Sequence, residues 1–427
     1  MNERLLQFIW QFRYFNTTDL QLYSGESFRI IHPGQLNKHQ GPDFLEARIQ
    51  VGSTLWVGSV ELHLKTSGWK KHAHSEDSNY DNVILHVVWE NDDPDPNPDI
   101  GLFILQDRVS KLLLKQYECW MDSPSFIPCE SQLTKVKSIV WENRKERLLV
   151  ERLLRKSAQV RLLLEESNQH WEEAFWWMLA RNMGIKVNAD AFESIAKTIP
   201  LKLLGKHKKQ IHQLEAFLFG QAGLLNRIFV EDYPAMLYKE YQFLQNKYKL
   251  RAAGIAVHYL RMRPVNFPTI RLAQLAMLIH ESSHLFSRIK DAKSFKDIKQ
   301  MFSVTANDYW HYHYVFDETS SFNPKKIGDQ MINNILINTV IPFLFTYGDI
   351  HKENSFNQRA MKWLEEIAAD TNSMTNGFEE IGISVIHARD SQALMELKTK
   401  YCDQRRCLDC AVGNALLGYT SGRTVEQ

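Results

Sequence analysis

An aspartate that opens one strand-like run and a glutamate near the end of the next carry the first chemical signal in this chain. Glu61 follows Asp43 by eighteen residues and begins the string Glu61-Leu-His63-Leu-Lys65. Side chains on a strand alternate with period two, so Glu61, His63 and Lys65 project to one face while Val60, Leu62 and Leu64 project to the other. An Asp from one strand and a Glu from its neighbour can jointly hold a divalent cation, which takes hard oxygen ligands and keeps waters, one of them a potential nucleophile. The basic group at His63 or Lys65 then stabilises charge developing on a phosphate or orients that water. His72, His74 and Asp77 follow, making a titratable cluster in which they stand around the acids. His86 lies inside an apolar run; it is either a satisfied core histidine or, by the even count from Ile84, aimed at the same site. Trp69 and Tyr80 read as rim or core aromatics, with base stacking as the alternative. The plainer reading makes Glu61 and His63 the polar face of a half-exposed sheet.

Two other constellations could take a metal. His280-Glu281-Ser-Ser-His284 matches H-E-x-x-H on an expected helix over 268–288, where two His one turn apart bind Zn²⁺ with Glu281 as base. A catalytic zinc needs a third protein ligand, and no Gly-x-x-His follows. Cys402-x4-Cys407-x2-Cys410 is the better metal signal, because a Cys-x2-Cys turn can point both thiolates at one ion. Its fourth ligand must be distant: Cys129 is the obvious candidate, with Cys119 and His387 behind it. Iron–sulfur, zinc and ordinary reduced thiols all remain open for this group.

The elements that must position these residues fall into two parts. Residues 1–110 hold 9 Lys/Arg against 15 Asp/Glu, although the whole 427-residue chain is balanced at 51 against 50. The first part is β-rich, with strand-like runs at Phe28–Ile31, Phe44–Val51, Thr54–Lys65, Asn82–Trp89 and Leu102–Leu105 separated by Gly, Pro, Asn and Asp. Asn91–Asp99, with Pro94, Pro96 and Pro98, is a solvated loop. From about Ser138 the period becomes helical, with segments near 138–167, 169–183, 190–197, 208–225, 233–247, 251–261, 268–288, 292–302, 327–347, 353–370, 376–382 and 388–401. The domains expected are an α/β unit over 1–115, a linker over 116–137 and a helical domain over 138–427 that ends in the cysteine knuckle.

Composition narrows the class. With 44% hydrophobic and 24% charged residues and a net charge of +1, the chain has the profile of a globular protein, which disfavours disorder and whole-chain polyanion affinity. Five cysteines exclude a disulfide framework and suggest a reducing compartment. The N-terminus has no signal-peptide pattern, and Ile335–Phe345 is short and polar enough to be a core helix, so the expectation is a cytoplasmic protein that does not span a membrane. Arg144, Lys145, Arg147, Arg152, Arg155, Lys156 and Arg161, with Lys202, Lys206, Lys208 and Lys209, form basic stretches that serve either as a phosphate-binding surface or as solvated faces. Arg263-Pro-x-Asn-Phe-Pro is a helix entry that Asn266 or Thr269 can cap.

Pro42-Asp43, seventeen intervening residues and then Glu61-x-His63-x-Lys65, in helix-strand-strand-strand-helix-strand order, resembles the PD-(D/E)XK nuclease superfamily over roughly residues 1–110. The strings Gly41-Pro-Asp-Phe44, Gly58-Ser-Val-Glu-Leu-His63, Trp69, His72-x-His74-x-x-Asp77-x-x-Tyr80 and Val83-x-Leu-His86-Val-Val are similar to an uncharacterised bacterial family of unknown function, over nearly the whole chain. The superfamily resemblance implies a restriction-endonuclease-like mixed α/β sheet, here followed by a large all-α domain. It implies Asp43 and Glu61 as ligands of Mg²⁺ or Mn²⁺ and His63 or Lys65 as the catalytic basic group, with His63 standing where the superfamily has Lys. Some members staple their ends with an iron–sulfur cluster on one upstream and three C-terminal cysteines; Cys129 with Cys402, Cys407 and Cys410 is similar in order. The function implied is metal-dependent hydrolysis of phosphodiester bonds in DNA or RNA, with nucleic acid as partner. The alternative is a degenerate core that binds nucleic acid without cutting it, and the third reading is a zinc hydrolase at His280, Glu281 and His284.

Overall fold

The computed structural model describes residues 1–420 apart from 38, 73, 252 and 283. The chain forms two compact units, Met1–Glu146 with Met395–Gln427, and Arg147–Leu394. A mixed sheet lies in the first, and the second is helical.

Helix α1 (Glu3–Phe12) opens the first unit. Asn2 caps it by accepting from the Leu5 N–H at 2.8 Å, and it stops where Arg13 turns left-handed at φ 53°. Leu5, Leu6, Ile9 and Trp10 are buried on its inner face. The strands are β1 (Phe28–His32), β2 (Gln35–Leu36), β3 (Phe44–Val51), β4 (Thr54–Lys65), β5 (Val83–Glu90) and β6 (Gly101–Ile104). Their order is β1-β3-β4-β5-β6, with β2 also paired to β3. β1, β3 and β4 are antiparallel neighbours, while β5 joins β4 and β6 joins β5 in parallel. The tight turn from β3 to β4 passes through Gly52 at φ 55°, a left-handed conformation that suits a two-residue hairpin loop. α1 packs on β4, and Phe103 of β6 lies edge-on to Phe28 at 4.9 Å, so a core of aromatic and aliphatic side chains covers the sheet.

Parallel β4 and β5 are joined by a crossover over 66–82 that contains the one-turn helix α2 (Gly68–Lys71) and two 3₁₀ turns, His74–Glu76 and Ser78–Tyr80. Residues 116–137, expected as a linker, are folded: they hold most of α3 (Lys111–Asp122) and the 3₁₀ turn Glu130–Lys135, and they bury Trp120, Ile127 and Cys129. The C-terminal segment belongs with this unit. Its helix Ala411–Thr420 packs against α3, the Tyr14 hydroxyl bonds Asn414, and Arg4 pairs with Asp409 at 2.5 Å. The cysteine knuckle therefore sits in the same unit as the sheet and not in the helical one.

Helix α4 (Ser138–Glu166) leaves the first unit at Glu146. The second unit then packs helices such as Trp171–Met183, Ile185–Thr198, Ile211–Gln221 and Pro268–Glu281 around Phe175, Phe192, Phe217, Phe219 and Phe286. Among the described residues one helix, Asp329–His351, is long and apolar enough to cross a membrane, and 78% of its apolar window is buried inside the protein. The expected helix near 251–261 is absent among the described residues, where Gly254 at φ 75° and Arg261 at φ 61° break the helical backbone. The expected helix over 268–288 is two helices, Pro268–Glu281 and Leu285–Asp291. Ser282 is extended and His284 is left-handed at φ 54°, and the Glu172 carboxylate starts the second helix by accepting from the N–H groups of Phe286 and Ser287 at 3.1 and 2.8 Å.

Glu215 in this unit is fully buried. It accepts from the Tyr233 hydroxyl at 2.8 Å and the Trp310 indole at 3.1 Å, and burial pushes its carboxyl up to about 8 from an ordinary 4.5. The folded state therefore holds this proton more tightly than the unfolded state. The stability linked to it is complete below the ordinary carboxylate range and is lost as pH rises toward 8. The expected loss across that window is up to about 5 kcal/mol. Urea unfolding at several pH values should show this decline in the wild type and a flatter profile in Glu215→Gln; identical profiles would refute the assignment.

Candidate metal centre

Asp43 immediately precedes β3, and a bulge follows it directly. Phe44 pairs with Val60 and Ala47 with Gly58, which leaves an extra residue on β3 and puts Glu46 at φ 57°. The two acids are locked by each other's backbone. The Asp43 N–H donates to Glu61 Oε2 at 3.0 Å, and the Leu62 N–H donates to Asp43 Oδ2 at 3.1 Å. Gln7 of α1 donates to the remaining Asp43 oxygen, Oδ1, at 2.7 Å. Glu61 Oε1 is left pointing at imidazoles: His74 Nε2 lies 3.4 Å away and His63 Nε2 3.7 Å.

The histidines come from three elements. His63 follows Glu61 on the same face of β4, His72 and His74 lie on the crossover, and His86 sits on β5, where Glu61 is registered with His86 itself. His63 Nδ1 is 2.9 Å from His86 Nε2, and His63 Nε2 is 3.3 Å from His72 Nδ1. The His74 ring stacks on Tyr80 at 3.9 Å, and Trp69 lies edge-on to it at 5.3 Å while bonding Ser75 through its indole N–H. Gly68 permits this packing, since a Cβ there would fall 2.8 Å from the His63 ring.

Burial governs the charges. It pushes the Asp43 carboxyl up to about 6, against the Leu62 and Gln7 hydrogen bonds that lower it. It pushes Glu61 up to about 8, with the Asp43 charge adding to the shift. His63 is driven down to about 3 and His86 to about 4, by burial first and then by neighbouring imidazoles; His74 is lowered for the same reasons. The pocket thus disfavours an isolated charge of either sign, and neutral imidazole is the form that ligates a metal.

Residues 3–373 match the family described as protein of unknown function (DUF2851). The chain belongs to this family. No curated protein and no solved structure matches it. In this DUF2851 chain Lys65 does not join the acids; its ammonium pairs with Glu90 at 3.0 Å on the neighbouring strand and is largely exposed. Asp77 caps its own turn by accepting from the Asn79 N–H. Gln7, the bulge at Glu46 and the close approach at Gly68 escaped the sequence reading. The signal for Gln7 was an amide set among the apolar residues Leu6, Phe8 and Ile9 of α1.

The remaining constellations separate. Cys129, Cys407 and Cys410 are buried, and Cys402 lies near enough to all three that their charges act on its thiol. Burial raises the thiols of Cys129 and Cys402 and pushes Cys407 up to about 12, with neighbouring sulfurs adding to each. Cys119 is exposed, and His387 pairs with Asp390 at 2.9 Å in the helical unit. His280 and His284 are not one turn apart on a helix, because that helix ends at Glu281; His280 Nδ1 instead lies 2.7 Å from the Lys208 carbonyl. His284 lines a cavity of about 710 Å³ with Lys202 and Lys206. The basic groups on α4 have partners within the protein: buried Arg144 stacks on Tyr401, Arg147 pairs with Glu151, Lys156 with Asn338 and Arg161 with Asp349.

Gly68→Ala is expected to force the His63 ring aside and destabilise the first unit by about 1–3 kcal/mol, as overpacking does. Denaturant unfolding measures the loss, and the histidine ring resonances in NMR report the displacement. Unchanged stability and spectra would mean that the ring moves freely.

Proposed function

We propose that the protein is a metal-dependent hydrolase of phosphodiester bonds in DNA or RNA, with its reaction centre at Asp43, Glu61 and the surrounding histidines. The observation that carries this reading is the locked pair of carboxylates, Glu61 buried and Asp43 half-buried, beside a cluster of imidazoles. A divalent cation there would supply positive charge beside the two acids and would lower the pKa of a bound water. The order of one helix, three antiparallel strands and two parallel ones around the acids supports a nuclease-like core. His63 stands where the PD-(D/E)XK superfamily has its catalytic Lys, and Lys65 is engaged with Glu90.

The test is cleavage of single- and double-stranded DNA and RNA with Mg²⁺ or Mn²⁺ by wild type, Asp43→Asn and Glu61→Gln. The expected result is metal-dependent cutting that falls by more than about 100-fold in Glu61→Gln, beyond what an outer partner of a metal site costs, and by about 10–100-fold in Asp43→Asn, which orients Glu61. The second reading is favoured by one observation, that among the described residues the lysine of the string, Lys65, is engaged with Glu90 and not with the acids: a core that binds nucleic acid and leaves it intact. Salt-sensitive binding without turnover would establish it.

The four cysteines are proposed to hold an iron–sulfur cluster or Zn²⁺. Buried thiols gathered from residues 129 and 402–410 are poor as bare thiolates, and a cation reverses that cost. Anaerobically purified protein should contain iron with sulfide, or zinc, which Cys129→Ser and Cys407→Ser both lose together with several kcal/mol of stability. A wild-type protein free of all three elements after metal reconstitution would leave these as ordinary reduced thiols.

A further inference from the structure

Among the described residues, three metal-ligating side chains converge in one place: the ring nitrogens of His63, His72 and His74 all lie within 4.8 Å of one another. We propose that Glu61, His63, His72 and His74 form a binding site for a nitrogen-preferring transition metal ion of the Zn²⁺ class, with His86 as the positioning residue that holds His63. This deepens the hydrolase reading and rests on it for the reaction, although the binding can be measured without turnover.

The spacing fits such an ion. Zinc–nitrogen bonds of 2.0–2.1 Å in a tetrahedron place ligand atoms about 3.4 Å apart. His63 Nε2 and His72 Nδ1 are 3.3 Å apart, His74 Nε2 and Glu61 Oε1 3.4 Å, and His63 Nε2 and Glu61 Oε1 3.7 Å. His74 is only 8% exposed, and its Nε2 has no hydrogen-bond partner among the described residues, so a buried lone pair is aimed into the cluster. The outer partner that metal-bound histidines require is also present. With His63 Nδ1–H donating to His86 Nε2 at 2.9 Å, the His63 Nε2 lone pair is left for the ion.

Asp43 stands outside the ligand set. Its two oxygens already accept from Gln7 and the Leu62 N–H, and its own N–H orients Glu61 through Oε2, leaving Oε1 for the metal. A set of three imidazoles and one carboxylate suits zinc, iron or nickel, whereas Mg²⁺ takes oxygen ligands and keeps its waters.

The test is titration of the full chain, free of any histidine tag, with Zn²⁺, Co²⁺ and Mg²⁺, followed by calorimetry and by Co²⁺ absorption. Wild type should take one more Zn²⁺ per chain than His72→Ala or His74→Ala. The Co²⁺ that these variants lose should show intense visible bands of four-coordinate nitrogen and oxygen ligation, without the near-ultraviolet charge transfer of thiolates at the cysteines. His72 is exposed, so its variant keeps the fold, and circular dichroism verifies this for each protein. His86→Ala should weaken Zn²⁺ by about 10–100-fold, the usual effect of losing an orienting partner. His86→Gln, whose amide oxygen still accepts from His63 Nδ1–H, should recover most of that loss. Equal Zn²⁺ stoichiometry in wild type and both ligand variants overturns the site. Cleavage supported by Mg²⁺ with no imidazole-dependent Zn²⁺ binding also overturns it while leaving the hydrolase reading intact. Imidazole-dependent Zn²⁺ binding in a chain that cuts no nucleic acid supports the site and removes the hydrolase reading.

Discussion

β4 and β5 run in the same direction, and the arrangement of the candidate site follows from that. A tight turn cannot join parallel neighbours, so the chain must travel back along the sheet before β5 begins. In many α/β folds a long helix makes that return. Here residues 66–82 do it with one turn of α-helix and two 3₁₀ turns, and these short pieces carry Trp69, His72, His74 and Tyr80 to Glu61 and His63. The parallel register also sets Glu61 opposite His86, which brings the His86 ring to His63. An antiparallel β5 joined by a hairpin would have left the acids without His72 and His74.

Placing polar groups at such a crossing is costly unless each finds a partner. The protein meets this by making the backbone of one strand serve the side chain of the other: Asp43 and Glu61 each accept an N–H from the segment that bears its neighbour. The histidines then tile the space around Glu61 Oε1, and Tyr80 and Trp69 close it from the crossover side. Glu215 in the helical unit shows the contrast. It is buried as deeply, but two donors from Tyr233 and Trp310 satisfy it, and among the described residues no second acid or imidazole bonds to it. Burial raises both carboxyls, yet of the two, among the described residues, the one on β4 sits beside imidazoles that could share an ion.

The strands over 44–51 and 54–65 were legible because apolar and polar residues alternate over 47–51 and 60–65 and glycine marks the turn between them. Asp43, Glu61, His63, His72 and His74 were legible as a group because they are close in sequence and typed for chemistry. What sequence periodicity could not carry is contact between distant segments. Gln7 reaches Asp43 across the α1–sheet packing, and a half-buried amide on an amphipathic helix looks like surface. The helix expected over 268–288 runs on past His284, but Glu172, far upstream, caps a new helix at Leu285 and breaks it. The basic face of α4 looked solvated or phosphate-binding because the groups it meets, Tyr401, Asn338 and Asp349, lie far along the chain. The cysteine knuckle was read as the end of the helical part because proximity to α1 and α3 leaves no local trace.

The residue two places after Glu61 is where the chemistry turns. A lysine at position 63 would put an ammonium, a strongly hydrated point charge, into a pocket with 2% exposure and would have three donors to satisfy there. An imidazole satisfies the same pocket uncharged. One ring nitrogen faces His86 and the other faces His72 and Glu61, so both are used and neither carries a net charge into the core. The lysine that the string does contain falls one pleat farther on, at the sheet end, where water and Glu90 can accommodate it. Position 63 therefore places an uncharged imidazole where a lysine would bring a charge, beside a Glu61 carboxyl that burial holds toward its neutral form.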